Sequence, residues 1–140
     1  MKRLRTFCET LVVAAALAGI GTGCAHRQSL EAASSVPAAE GTVRATKDSN
    51  GNTDLVVNVK HLARPDKMAP DATVYLVWIQ PPGDQKESVG ILKVSANLEG
   101  TLKTKTPQRK FLLTITPEAN AQVQQPAHDP VFTANVDRGD

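Results

Sequence analysis

The stretch from Thr73 to Gln80, TVYLVWIQ, does most to limit what this chain can become, and it holds the chain's only Trp and only Tyr. β-Branched and aromatic side chains crowd a helix but fit the pleated surface of a strand, so a strand is predicted here. Because side chains alternate, Val74, Leu76 and Trp78 share one face and Tyr75, Val77 and Ile79 the other. Both faces are apolar, so the strand needs cover on both. Val74, Leu76 and Trp78 are assigned to the shared core, with Val57, Leu92, Leu113 and Ile115 as neighbours. Tyr75, Val77 and Ile79 are left for a loop, the N-terminal segment or a partner to cover, and together with Trp78 they form the candidate binding surface.

From Gly41 onward the sequence reads as short period-two runs separated by turn residues. Strands are predicted over 42–47, 54–61, 73–80, 88–94, 98–104, 110–116 and 131–136. Asn50-Gly51 between the first two predicts a hairpin closed by a type I′ turn, which needs positive φ at both central residues. Residues 62–72, with Pro65 and Pro70, read as a crossover to a second sheet, and Pro81-Pro82-Gly83-Asp84 stops the central strand. Seven strands in about 100 residues predict an all-β, two-sheet sandwich of immunoglobulin-like type over residues 40–138. The long loops 62–72, 81–87 and 117–130 are its candidate recognition surfaces, because loops vary while strands hold shape.

The N-terminus carries a different signal. Lys2, Arg3 and Arg5 precede an apolar run from Leu11 to Ile20 and a small-residue close, Gly21-Thr22-Gly23, as in a secretory signal peptide over residues 1–23. That run is half the roughly twenty residues a membrane span requires. Thr22, Gly23 and Cys24 resemble the cleavage and acylation site of a bacterial lipoprotein. The resemblance implies cleavage between Gly23 and Cys24 and a diacylglyceryl group on the Cys24 sulfur, and two or more acyl chains make a stable anchor where one does not. It also implies outer-membrane sorting, facing the periplasm, since residue 25 is Ala rather than Asp. The family prefers an apolar residue where this chain has Gly21, and the alternative is an ordinary cut that releases a soluble periplasmic domain. Residues 24–39, rich in Ala and Ser, read as the lipidated cysteine and a flexible tether with a taut reach of about 50 Å.

Both cysteines, Cys8 and Cys24, fall in this leader region, so no disulfide is expected in the domain. Lys2, Arg3, Arg5 and Glu9 leave with the leader, and from Cys24 on 13 basic residues meet 13 acidic ones. A neutral domain is a poor match for nucleic acid, which demands several phosphate contacts. His26, His61 and His128 have no second ligand at metal spacing, and Ser-based nucleophile motifs and phosphate loops are missing. Asp48, Asn50, Asn52 and Asp54 alternate as in a calcium loop, but the twelfth position is Val59, where that loop needs Glu. No cofactor, no metal and no enzymatic activity are expected.

Tyr75 to Trp78 (YLVW), Gly90 to Val94, FLLTITPEAN at 111–120, Pro126 and Pro130 to Phe132 resemble the extracytoplasmic domain of anti-sigma-K-type regulators. The similarity runs over residues 72–134 and implies an immunoglobulin-like sandwich. The sigma-binding segment and membrane span of those regulators have no counterpart here, so sigma-factor control is not implied. The expectation is a lipid-anchored envelope protein acting as an interaction or scaffolding module for another envelope protein, with a glycan- or peptide-binding module and an envelope sensor domain as alternatives.

Overall fold

A computed structural model describes residues 26–140. The expected leader, its expected cleavage position between Gly23 and Cys24 and the expected acylation of Cys24 lie outside the described residues. The described chain forms β1 (His26–Ser29), β2 (Glu31–Ala32), β3 (Glu40–Lys47), β4 (Thr53–Lys60), one helical turn α1 (Pro65–Met68), β5 (Val74–Gln80), β6 (Glu87–Leu92), β7 (Gly100–Thr106), β8 (Lys110–Glu118) and β9 (Phe132–Asp137). Two antiparallel sheets face each other, one in the order β1-β3-β4-β7 and the other β2-β9-β8-β5-β6. Every strand predicted from the alternation is present, with ends within two residues of those expected. From β3 onward the order is that of an immunoglobulin sandwich: the A, B and E strands in one sheet face G, F, C and C′ in the other.

Two strands were not anticipated, and both come from the segment read as a flexible tether. β1 pairs with β3 from His26↔Ala45 to Ser29↔Thr42, and β2 pairs with β9 on the opposite sheet. The chain changes sheets at Leu30, which is buried between them and donates its N–H to the Gly41 carbonyl. Val36 and Ala39 are buried as well, and the backbone of 33–39 folds into successive turns held by Val36 N–H to Ala33 and Ala39 N–H to Val36. Three small-to-medium apolar residues suffice because β1 is an edge strand, which needs only one partner and leaves its outer face in water. An average over the Ala/Ser-rich window hides them.

The β3–β4 hairpin is where Asn50-Gly51 placed it, but the turn differs. Gly51 alone has positive φ, +86°, and its N–H bonds back to the Asp48 carbonyl. Ser49 and Asn50 are therefore the centre of a type I-like turn, with Asp48 Oδ1 accepting from the N–H groups of Asn50 and Asn52. An aspartate at the first turn position offers the backbone this alternative, and the loop lengthens to use it.

The core between the sheets is built from Val43, Leu55, Val57 and Val59 on one side and Tyr75, Val77, Ile79, Leu92, Phe111, Leu113, Ile115 and Phe132 on the other. This reverses the expected sides of the central strand. Tyr75, Val77 and Ile79 face the shared core, while Leu76 and Trp78 lie on the outer face of their sheet. Alternation sorts side chains into two sets but cannot say which set meets the second sheet when both are apolar.

Candidate binding surfaces

The four residues of the expected binding surface are all buried, Tyr75, Val77 and Ile79 at 0% exposure and Trp78 at 1%. None is a platform. Tyr75 lies under the crossover and donates its hydroxyl to the Ala63 carbonyl at 2.7 Å. Burial, with the Asp66 carboxylate adding to it, pushes the phenol well above its ordinary range.

The outer face around Trp78 is polar beneath its cover. In register across β5 and β8, Val74 lies beside Glu118, Leu76 beside Thr116 and Trp78 beside Thr114. Trp78 Nε1 donates to Thr116 Oγ1 at 2.8 Å, and that hydroxyl donates to Glu118 Oε1 at 2.6 Å. Both Glu118 oxygens accept from the Ala127 N–H, at 3.1 and 3.2 Å. A carboxylate at 0% exposure is costly unless its lone pairs are used, and these contacts use them. The same bonds draw residues 119–130 back across the sheet as a roof. At its hinge, His128 Nε2 meets Asp71 Oδ1 at 3.0 Å, and Nδ1 stands 3.6 Å from Glu118 Oε2. At its far end Gln125 and Pro126 reach Gln80 and Asp84–Lys86.

Of the loops proposed as recognition surfaces, 62–72 and 117–130 therefore meet, joined also by Thr73 N–H to the Glu118 carbonyl. The loop 81–87 lies at the opposite end, where the roof tip meets it. The sequence offers His128 no second ligand at metal spacing, and the fold sets it beside Asp71, 57 residues away. Glu118 passed unnoticed, since a glutamate after Pro117 reads as the start of a loop. This cluster of Trp, Thr, Glu, His and Asp is buried at Trp78, Thr116 and Glu118 and reaches solvent at His128 and Asp71.

Two surfaces away from this cluster are open to solvent. One is a groove of about 440 Å³ at the end of the second sheet, lined by Gln80, Pro81, Pro82, Lys110, Leu112 and Asn135 among others. The second is the outer face of the first sheet, where register sets Arg27 beside Arg44, Arg44 beside Val56 and Val56 beside Lys103. One row of side chains thus crosses all four strands with three cations in it. Its neighbours are Ser29, Thr42, Asn58 and Thr101 on one side and Thr46, Asp54 and Lys105 on the other. Lys105 is bound to Asp54 at 2.9 Å and Asp48 at 3.1 Å, which raises its pKa and lowers that of Asp48. Arg27, Arg44 and Lys103 have no carboxylate within 4.0 Å among the described residues. No signal in the one-dimensional pattern links residues 27, 44 and 103, because only the pairing register brings them together.

No protein-family model matches the chain, and neither a curated protein nor a solved structure is significantly similar to it.

Proposed function

We propose that this protein is a lipid-anchored component of a bacterial cell envelope, held by Cys24 in the outer membrane and facing the periplasm, and that its sandwich is a non-enzymatic interaction module. The observation that carries the reading is the closeness of anchor and fold: β1 begins at His26, two residues beyond the cysteine of the lipoprotein-like signal. A module so mounted presents fixed faces to its surroundings. The interior of the second sheet's outer face is occupied by its own roof, which leaves the polar face of the first sheet and the loops for recognition. Among the described residues no helix is long and apolar enough to cross a membrane, so retention at the membrane rests on the acyl chains.

Metabolic labelling with a palmitate analogue tests the anchor. Label on the wild-type chain and none on Cys24→Ala supports the reading, and label that persists in Cys24→Ala refutes it. Crosslinking in intact cells tests the interaction module, which predicts reproducible capture of an envelope protein through the loops 62–72 or 117–130. The groove beside Pro81 and Pro82 favours a second reading, a peptide- or glycan-binding module, because about 440 Å³ is within the range of ligand sites.

A further inference from the structure

Resting on the lipid-anchored reading, we propose that the outer face of the first sheet lies against the membrane, with Arg27, Arg44, Lys60 and Lys103 meeting anionic phospholipid headgroups. The register places these cations on one face, since Lys60 lies opposite Glu40 at the end of β3 and both share the alternation of Arg44. On this face five cations (Arg27, Arg44, Lys60, Lys103 and Lys105) stand against three carboxylates, Glu40, Asp54 and Asp48, of which Asp48 and Asp54 are both taken up by Lys105. The chain from Cys24 onward is neutral, so the charge is segregated rather than spread. Like charges directly opposite across a strand pair are destabilising, and Arg27 opposite Arg44 is such a pair. An arrangement that costs the isolated fold in this way gains when a negative surface covers it.

The face also has a depression of about 380 Å³, lined by Arg27, Lys60, Glu40, Thr42 and Asn58. Two cations, a hydroxyl and an amide offer donors to a phosphodiester there, and the cations outnumber the one carboxylate, Glu40. Chain length decides which negative surface this is. Arg27 is three residues from Cys24, which at full extension is about 11 Å. A cation held that close to acyl chains lies within the headgroup layer and within a Debye length of its charge.

The test uses the processed chain isolated from membranes and reconstituted into phosphatidylcholine vesicles with or without phosphatidylglycerol. An environment-sensitive fluorophore is carried by Thr101→Cys on this face, or by Gln122→Cys on the roof. The emission of the Thr101 probe shifts to the blue when phosphatidylglycerol is present, returns in 0.5 M salt, and is unmoved in phosphatidylcholine alone; the Gln122 probe stays put. Combining Arg44→Glu with Lys103→Glu abolishes the shift. In the Cys24→Ala chain, which has no acyl groups, the same pair weakens binding to phosphatidylglycerol vesicles by at least roughly 25-fold, about fivefold for each cation lost. A Thr101 probe that stays in water on anionic vesicles overturns the proposal, as does a charge-reversed chain that shifts like wild type. Failure to float with phosphatidylcholine vesicles would count against the anchor alone, because the dependence on phosphatidylglycerol still reads the face.

Discussion

Leu30 occupies the space that a side chain on Gly41 would need. A Cβ added to Gly41 would lie 2.8 Å from Leu30 Cδ1 and 3.1 Å from Phe132 Cε1. Gly41 has no positive φ, so its role is clearance rather than backbone freedom. Gly41→Ala is expected to destabilise the fold by about 1–3 kcal/mol, the usual range for overpacking. Leu30→Ala alone leaves a cavity and costs about 2–5 kcal/mol. The double variant should cost clearly less than the sum, and denaturant titration of the four chains reads the coupling. Strict additivity would mean that the two residues do not compete for one space.

The bond from Trp78 to Thr116 and on to Glu118 predicts both a spectrum and an energy. Wild-type tryptophan emission is blue-shifted and resists iodide, because the indole is under the roof. Thr116→Val keeps the shape but leaves Trp78 Nε1 without an acceptor and Glu118 Oε1 with only its bond from the Ala127 N–H, at a cost of about 1–3 kcal/mol. Adding Trp78→Phe to Thr116→Val removes the unpaired N–H, so the pair should again cost less than its parts added together.

Lys105 joins two limbs of the stability–pH curve. Its hydrogen bond holds Asp48 below 3.8, with help from the N–H groups of Asn50 and Asn52, while Asp54 and then Asp48 hold Lys105 above 10.5. The Asp48 contribution is present above about pH 3.8 and is lost as pH falls through its lower folded value. The Lys105 contribution is complete below pH 10.5 and is lost as pH rises through its higher folded value. Lys105→Met should shrink both limbs. Part of the alkaline limb persists because burial still holds the Tyr75 phenol high, and part of the acid limb because Lys110 still holds Asp137 low. Denaturant midpoints across the pH range at low salt measure this, and an unchanged acid limb would remove Lys105 from the account.

Arg44→Thr separates stability from membrane contact. Relief of repulsion from Arg27 should raise the melting temperature slightly, and the gain should vanish in high salt. The same substitution weakens attachment to anionic vesicles. A fall in melting temperature would show that Arg44 is held by favourable contacts instead.

Most of the fold was legible because its signals are local. Alternation in β4, the Asn-Gly of the hairpin and the prolines around β5 each need only a few neighbouring residues to be read. What escaped depends on distant parts of the chain. Leu30 counts as a core residue only once Gly41 and Phe132 surround it, and Trp78 can face away from the core only because a loop 40 to 50 residues downstream folds over it. That loop is Pro, Gln and Ala, which reads as open connection until the Glu118 bonds are seen. The cation row is the extreme case, since Arg27, Arg44 and Lys103 share nothing but a register.

The crossing of the chain from one sheet to the other at Leu30 also decides how the protein bears load. Tension entering at His26 can peel β1 from β3 pair by pair, but it then meets a side chain wedged between the sheets and a strand pinned to β9. The last strand of the sandwich is thereby clamped to its first, and a pull at the N-terminus is shared across both layers before the core can open.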